Sequence, residues 1–246
     1  MQALETGIRT KHFYLHAMHF PTTHWSQLIV LSQSGQRLAH ESLDRVCRDY
    51  WRPVFAMVRL RGVPEQDAHD VTQSFFLHVM ERMPLVKADR ARGKFRAFLV
   101  GILHLFLLQE LRVRTARKRG GGVAPEELHE ENAPAILPTE CEVFDREWAL
   151  AVMNRALEEA RREYVAKGRD WDVFKSFLPG GGGAPLAYDQ AVERSGMTLA
   201  SFKVELHRLR QHIMDMLRDE VARTVSAPHE IDEELAHLRR TLEKAA

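Results

Sequence analysis

The chain has 246 residues, 45% hydrophobic and 28% charged, with a formal net charge of +1. That composition fits a soluble globular protein and excludes a low-complexity chain or a polycation. Cys47 and Cys141 stand far apart without CxxC spacing, so neither a disulfide framework nor a cysteine metal site is expected.

Residues 1–24 form an N-terminal extension. Arg9 and Lys11 precede no continuous apolar core, so the segment does not read as a signal peptide. His12, His16 and His19 have metal-compatible spacing but no acidic or cysteine partner nearby, which favours surface histidines over a metal site.

Residues 25–119 read as a first helical domain. In PEQDAHDVTQSFFLHVMERM, Ala68, Val71, Phe75 and Val79 can face a core, while Asp67, Asp70, Gln73 and Ser74 form a polar stripe on another face. In KADRARGKFRAF, residues 87–98, the cations Lys87, Arg90, Arg92, Lys94 and Arg96 stand beside Phe95 and Phe98. Cations beside flat side chains suit a single nucleic-acid strand, since one tracks phosphates and the other stacks on bases. Core packing is the alternative for both phenylalanines. The run FLVGILHLFLL, residues 98–108, is too short to span a bilayer and contains His104. It reads as a buried helix covered by the helices of residues 40–61 and 65–83.

Charge is unevenly placed. Residues 112–119 carry five Lys or Arg and no acid, whereas residues 124–147 carry eight acids and one Arg. Residues 120–147 open on GGG, include Pro125, Pro134 and Pro138, and have linker composition. Residues 148–225 read as a second helical domain. In it PGGGGAP, 179–185, is a joint after a helix ending near Leu178, and it lacks the GK[ST] of a phosphate-binding loop.

Residues 185–212 are the most informative. Pro185 opens a helix with Leu186, Val192 and, more weakly, Ala191 facing inward; Gly196 supplies the turn and Thr198 the next N-cap. Leu199, Phe202, Leu206, Leu209 and Ile213 then recur at helical spacing, leaving Lys203, His207, Arg208 and Arg210 outside or at the edge of the stripe. That is the layout of a helix-turn-helix recognition helix, although a helical hairpin that merely packs shows the same stripe. The tail, 226–246, has Ile231, Leu235, Leu238 and Leu242 on one face and suits a terminal helix. No strand pattern, repeat or catalytic triad context is legible, so no catalytic activity, metal or cofactor is expected.

The Tyr-Trp helix, the DAHDVTQSFF helix, the RGKFRAFL opening and the basic helix end follow one another over residues 43–119. This order resembles region 2 of the sigma factors of bacterial RNA polymerase, in the compact extracytoplasmic-function class, and residues 185–212 resemble region 4. The resemblance covers most of residues 25–225. It implies that Asp67, Asp70 and Gln73 bind the clamp helices of core polymerase. It also implies that Arg92, Lys94, Phe95, Arg96, Phe98, His104, Gln109 and Arg112 bind and melt the minus-10 element. Ala200, Lys203, Val204, His207 and Arg208 match the residues that approach the minus-35 element. Glu205, among them, either accepts from a cytosine amino group or points to water. Ser74 stands where the family often has Glu, and His104, Leu105 and Gln109 depart from the usual Arg-Asn and later Asp, so promoter preference is not carried over.

The expected architecture is all-α, with two small helical domains joined by a linker and a helix-turn-helix in the second. The expected function is that of a cytoplasmic sigma factor whose partners are core RNA polymerase and promoter DNA, with room for an anti-sigma regulator and no membrane or small-molecule substrate. Two rivals remain: a stand-alone helix-turn-helix regulator that binds operator DNA as a dimer, and a helical adaptor that binds no DNA. The opposite charges of residues 124–147 and of 87–96 and 112–119 further suggest a self-association that masks the basic segments in the free protein.

Overall fold

A computed structural model describes residues 36–82, 94–118, 134–179 and 186–245. Among them every regular element is helical: α1 (Gln36–Leu60), α2 (Glu65–Arg82), α3 (Phe95–Lys118), α4 (Pro138–Ala166), α5 (Trp171–Lys175), α6 (Tyr188–Ser195), α7 (Leu199–Ala222), a 3-10 turn (Pro228–Glu230) and α8 (Ile231–Ala245). None of these helices is long and apolar enough to cross a membrane.

The α1 helix buries Val46, Tyr50, Val54, Met57 and Val58, which recur at three- and four-residue spacing on one face. It ends at Gly62, whose φ of +80° is a conformation that glycine adopts without a Cβ penalty. Pro64 opens the next helix, and Glu65 and Asp67 place negative charge at the positive end of the α2 dipole. The expected α2 core face is present: Ala68, Val71, Phe75 and Val79 are all buried.

Among the described helices, α4 packs against α1, α7 and α8. It begins at Pro138, so residues 138–147, expected as linker, are helical. The reason is local. Proline suits a first helical position, and the Glu140 carboxylate accepts the Leu137 N–H at 2.9 Å, satisfying a donor at the helix start. The helix stops at Ala166, where Gly168 turns left-handed (φ +68°) and the Arg169 N–H returns to the Tyr164 carbonyl at 3.0 Å. The short α5 then ends at Lys175, close to the helix end expected near Leu178.

The segments expected as separate domains share a continuous hydrophobic core. Tyr50 of α1 stacks on Phe144 of α4 and meets Phe95 of α3 edge-on, with centroids 6.2 and 5.3 Å apart. Arg155 of α4 bridges Asp49 of α1 (3.3 Å) and Glu220 of α7 (3.2 Å). The Phe95 N–H, first in α3, donates to the Thr224 carbonyl just past α7 at 3.2 Å. Around α3, Phe106 meets Phe75 edge-on and tilts against His78, so α2 covers it as expected. The tail is helical as read, with Ile231 and Leu238 buried and Leu235 and Leu242 packed against the core.

Candidate nucleic-acid interface

The geometry of residues 186–222 follows from three local devices. The α6 helix starts at Tyr188, with Ala187 at its N-cap and Ala191 as its buried residue; Leu186 and Val192 are half-buried. Ala191, the weakest of the three inward expectations, is thus the most buried. Pro185 lies outside the described residues. Gly196 then takes φ +65° and reverses the chain. The Thr198 hydroxyl accepts the Ser201 N–H at 3.2 Å and caps α7.

On α7, Phe202, Leu206, Leu209 and Ile213 are buried, as their spacing predicts. Leu199 is a correction. It sits in the first turn, ahead of the packed part of the stripe, and is exposed. Phe202 anchors the helix by stacking on Phe174 at 5.0 Å and meeting Phe177 edge-on at 5.4 Å.

Opposite that anchor, Ala200, Lys203, Val204, His207 and Arg208 are all exposed and recur at three- and four-residue spacing along one face. Val204 is half-exposed at 51%, an aliphatic side chain with no core to enter. The Lys203 ammonium lies 5.3 Å from the centre of the Tyr188 ring, a cation–π contact between α7 and α6. Glu205 does not simply point to water: its side chain is mostly buried. It pairs with Arg169 and accepts from the Tyr164 hydroxyl at 2.9 Å, tying α7 to the end of α4. Arg210 likewise donates to the Phe177 carbonyl at 2.8 Å. Neither Tyr164 nor Arg169 carries a local sequence signal for this pairing.

On α2, Asp70, Gln73 and Ser74 are exposed and Asp67 is half-buried, so the polar stripe reaches the surface beside the buried Ala68 face. The helix lies against α1 through Trp51, whose ring stacks on Phe76 at 5.8 Å.

The start of α3 differs most from expectation. Arg92 lies outside the described residues. Phe95 is a core residue under Tyr50, and Phe98 is half-buried against the core, so both take the packing alternative. Arg96 is only 7% exposed. Its Nε and Nη2 donate to Glu234 of α8 at 3.1 and 2.7 Å, its Nη1 donates to Asp145 of α4, and its guanidinium lies 4.6 Å from the centre of the Trp148 ring. Lys94 pairs with Glu233 at 2.9 Å and Glu234 at 3.0 Å. His104 is buried as well: its Nδ1 accepts from Arg61, and its Nε2 donates to the Pro134 carbonyl at 2.7 Å. Beside it Glu140 pairs with Arg61. Phe95, Arg96 and His104 are therefore withdrawn from any surface on which a strand could lie in this conformation. Gln109 is half-buried and Arg112 exposed.

The electrostatics agree with the contacts. Burial works against the charges of Lys94 and Arg96, but the carboxylates of Glu233, Glu234 and Asp145 outweigh it and hold both pKa values above their ordinary ranges. Burial likewise opposes ionisation of Asp145, yet hydrogen bonds from His237 and Arg96 keep its carboxyl below the ordinary carboxylate range. Asp145 belongs to the acidic segment expected to mask the basic one, and it does meet Arg96. Glu126, Glu127, Glu130 and Glu131 lie outside the described residues, as do His12, His16 and His19.

No group of His, Cys, Asp and Glu among the described residues is arranged to hold a metal ion. No protein-family model, curated protein or solved structure matches the chain.

Proposed function

We propose that this chain acts as a sigma-like initiation factor: α7 reads duplex DNA, the exposed stripe of α2 docks on core RNA polymerase, and the start of α3 engages a displaced strand. The observation that carries the reading is the division of α7. Its one face is held by Phe202, Leu206 and Leu209, while Ala200, Lys203, Val204, His207 and Arg208 face outward on a capped helix behind a tight turn. A helix so fixed can enter the major groove with cations toward phosphates or guanine edges and Val204 toward a thymine methyl group. Glu205, held by Arg169, sets the rotation of that face rather than reading a base.

In this reading the sequence resemblance assigns the partner, and the exposure of Asp70 and Gln73 is compatible with docking. Protection of a promoter fragment against nuclease, with and without core polymerase, tests it. A footprint that needs core polymerase and is lost in Lys203→Ala/Arg208→Ala supports the assignment.

One observation favours the rival regulator. Phe95, Arg96 and His104 are buried while the α7 face is open, as expected if α7 alone meets DNA. A stand-alone regulator protects its operator without polymerase and binds as a dimer. The footprint therefore separates the two.

A further inference from the structure

The strongest unexplained feature is the set of charges between α3, α4 and α8. Lys94 and Arg96, cations suited to phosphates, are covered by the first turn of α8. Glu234 there has no exposed surface, a costly place for a carboxylate unless cations accompany it. Its partners are the same Lys94 and Arg96. Asp145 completes the cage from α4, held in turn by His237 of α8 at 3.0 Å.

Carboxylate oxygens and phosphodiester oxygens make the same charge-assisted bonds to ammonium and guanidinium groups. Lys94 and Arg96 cannot satisfy Glu233 and Glu234 and a nucleic-acid backbone at once. We propose that α8 is an intramolecular clasp whose Glu233 and Glu234 occupy Lys94 and Arg96 in place of strand phosphates, so that the docked tail and a bound single strand exclude each other. The proposal rests on the strand-binding role of the start of α3. Because the coupling is reciprocal, a strand must loosen α8 by the same factor by which α8 weakens the strand.

The geometry also says how the clasp opens. Glu233 is 71% exposed at the rim and pairs with Lys94, whereas Glu234 is interior and pairs with both cations.

The test uses the full-length protein and a fluorescent single-stranded DNA oligonucleotide, with binding read by anisotropy. Glu233→Gln and Glu234→Gln should each tighten binding, the latter by roughly fivefold or more, a typical coupling between exclusive states. Glu243→Gln removes the same charge from the exposed far end of α8 and should change affinity less than twofold, about the scale of a nonspecific charge effect. Should Glu234→Gln fail to fold by circular dichroism, the rim variant Glu233→Gln decides. Equal affinities for Glu233→Gln, Glu243→Gln and the unmodified protein would overturn the clasp. In the second arm, saturating oligonucleotide should speed amide hydrogen exchange of residues 231–245; unchanged exchange on a bound protein would also overturn it. Neither arm contains polymerase, so a failed clasp leaves the polymerase-dependent footprint standing, and a failed footprint is read separately.

Discussion

Arg96 donates from both Nε and Nη2 to a single oxygen of Glu234, a residue 138 positions away with no exposed surface. The pair fixes the start of α3 to α8, and each buried charge faces its opposite. Arg96→Ala should therefore cost about 3–5 kcal/mol, because it leaves Glu234 buried without its main counter-ion. Arg96→Met/Glu234→Leu should cost clearly less than Arg96→Ala alone. Urea unfolding monitored by circular dichroism checks both; a loss under about 1 kcal/mol for Arg96→Ala would mean that water reaches Glu234.

The same cluster predicts an acid-sensitive contact. Asp145 and Glu233 both have pKa values held below their ordinary 3.8 and 4.5. Their contribution is complete above those ordinary values and is lost as pH falls through the lower folded values. The contribution of these two carboxylates to the docking of α8 should thus weaken below about pH 4. Amide exchange of residues 231–245, measured against pH and corrected for intrinsic rates, should show that onset, and Asp145→Asn should flatten it.

Glu205 gives a prediction about positioning. Glu205→Ala removes the partner of Arg169 and of the Tyr164 hydroxyl and should cost about 1–3 kcal/mol of stability. If Glu205 only orients α7, DNA affinity of the folded variant should fall equally on all sequences. A change of base preference at one position would instead make it a reader.

Gly196 is needed for its φ of +65°, not for space, since nothing lies within 4 Å of the position a Cβ would take. Gly196→Ala should cost about 1 kcal/mol and Gly196→Asn less, because Asn tolerates that conformation. Thermal unfolding should rank the two in that order.

Local features were readable from sequence because they depend on near neighbours. Helical periodicity sufficed for Phe202, Leu206 and Leu209, and side-chain chemistry for the Thr198 cap and the Gly196 turn. Leu199 fell outside the stripe because it precedes the first packed turn, where periodicity says nothing about what lies opposite. The helix at Pro138 was hidden by acidic, proline-bearing composition, although proline at a first helical position with Glu140 nearby is itself a start signal. At the candidate interface, the open α7 face was legible and the covered α3 start was not. Arg96 stands among cations in sequence, and only the fold brings Asp145 and Glu234 to it. The pairing of Glu205 is hidden for the same reason, its partner Arg169 lying far along the chain in the link between α4 and α5.

On α2, exposure makes Asp70 a clean probe of docking. Asp70→Arg should shift stability by no more than about 0.5 kcal/mol yet abolish co-elution with core polymerase. Loss of folding would contradict the exposure, and unchanged co-elution would remove α2 from the interface.

Transcription reconstituted from purified core polymerase and genomic fragments tests the central claim most directly. The account predicts discrete initiation sites that appear only when this protein is added and vanish with Asp70→Arg or with Lys203→Ala/Arg208→Ala. Discrete DNA protection by the protein alone, with no transcript in the presence of core polymerase, would contradict it.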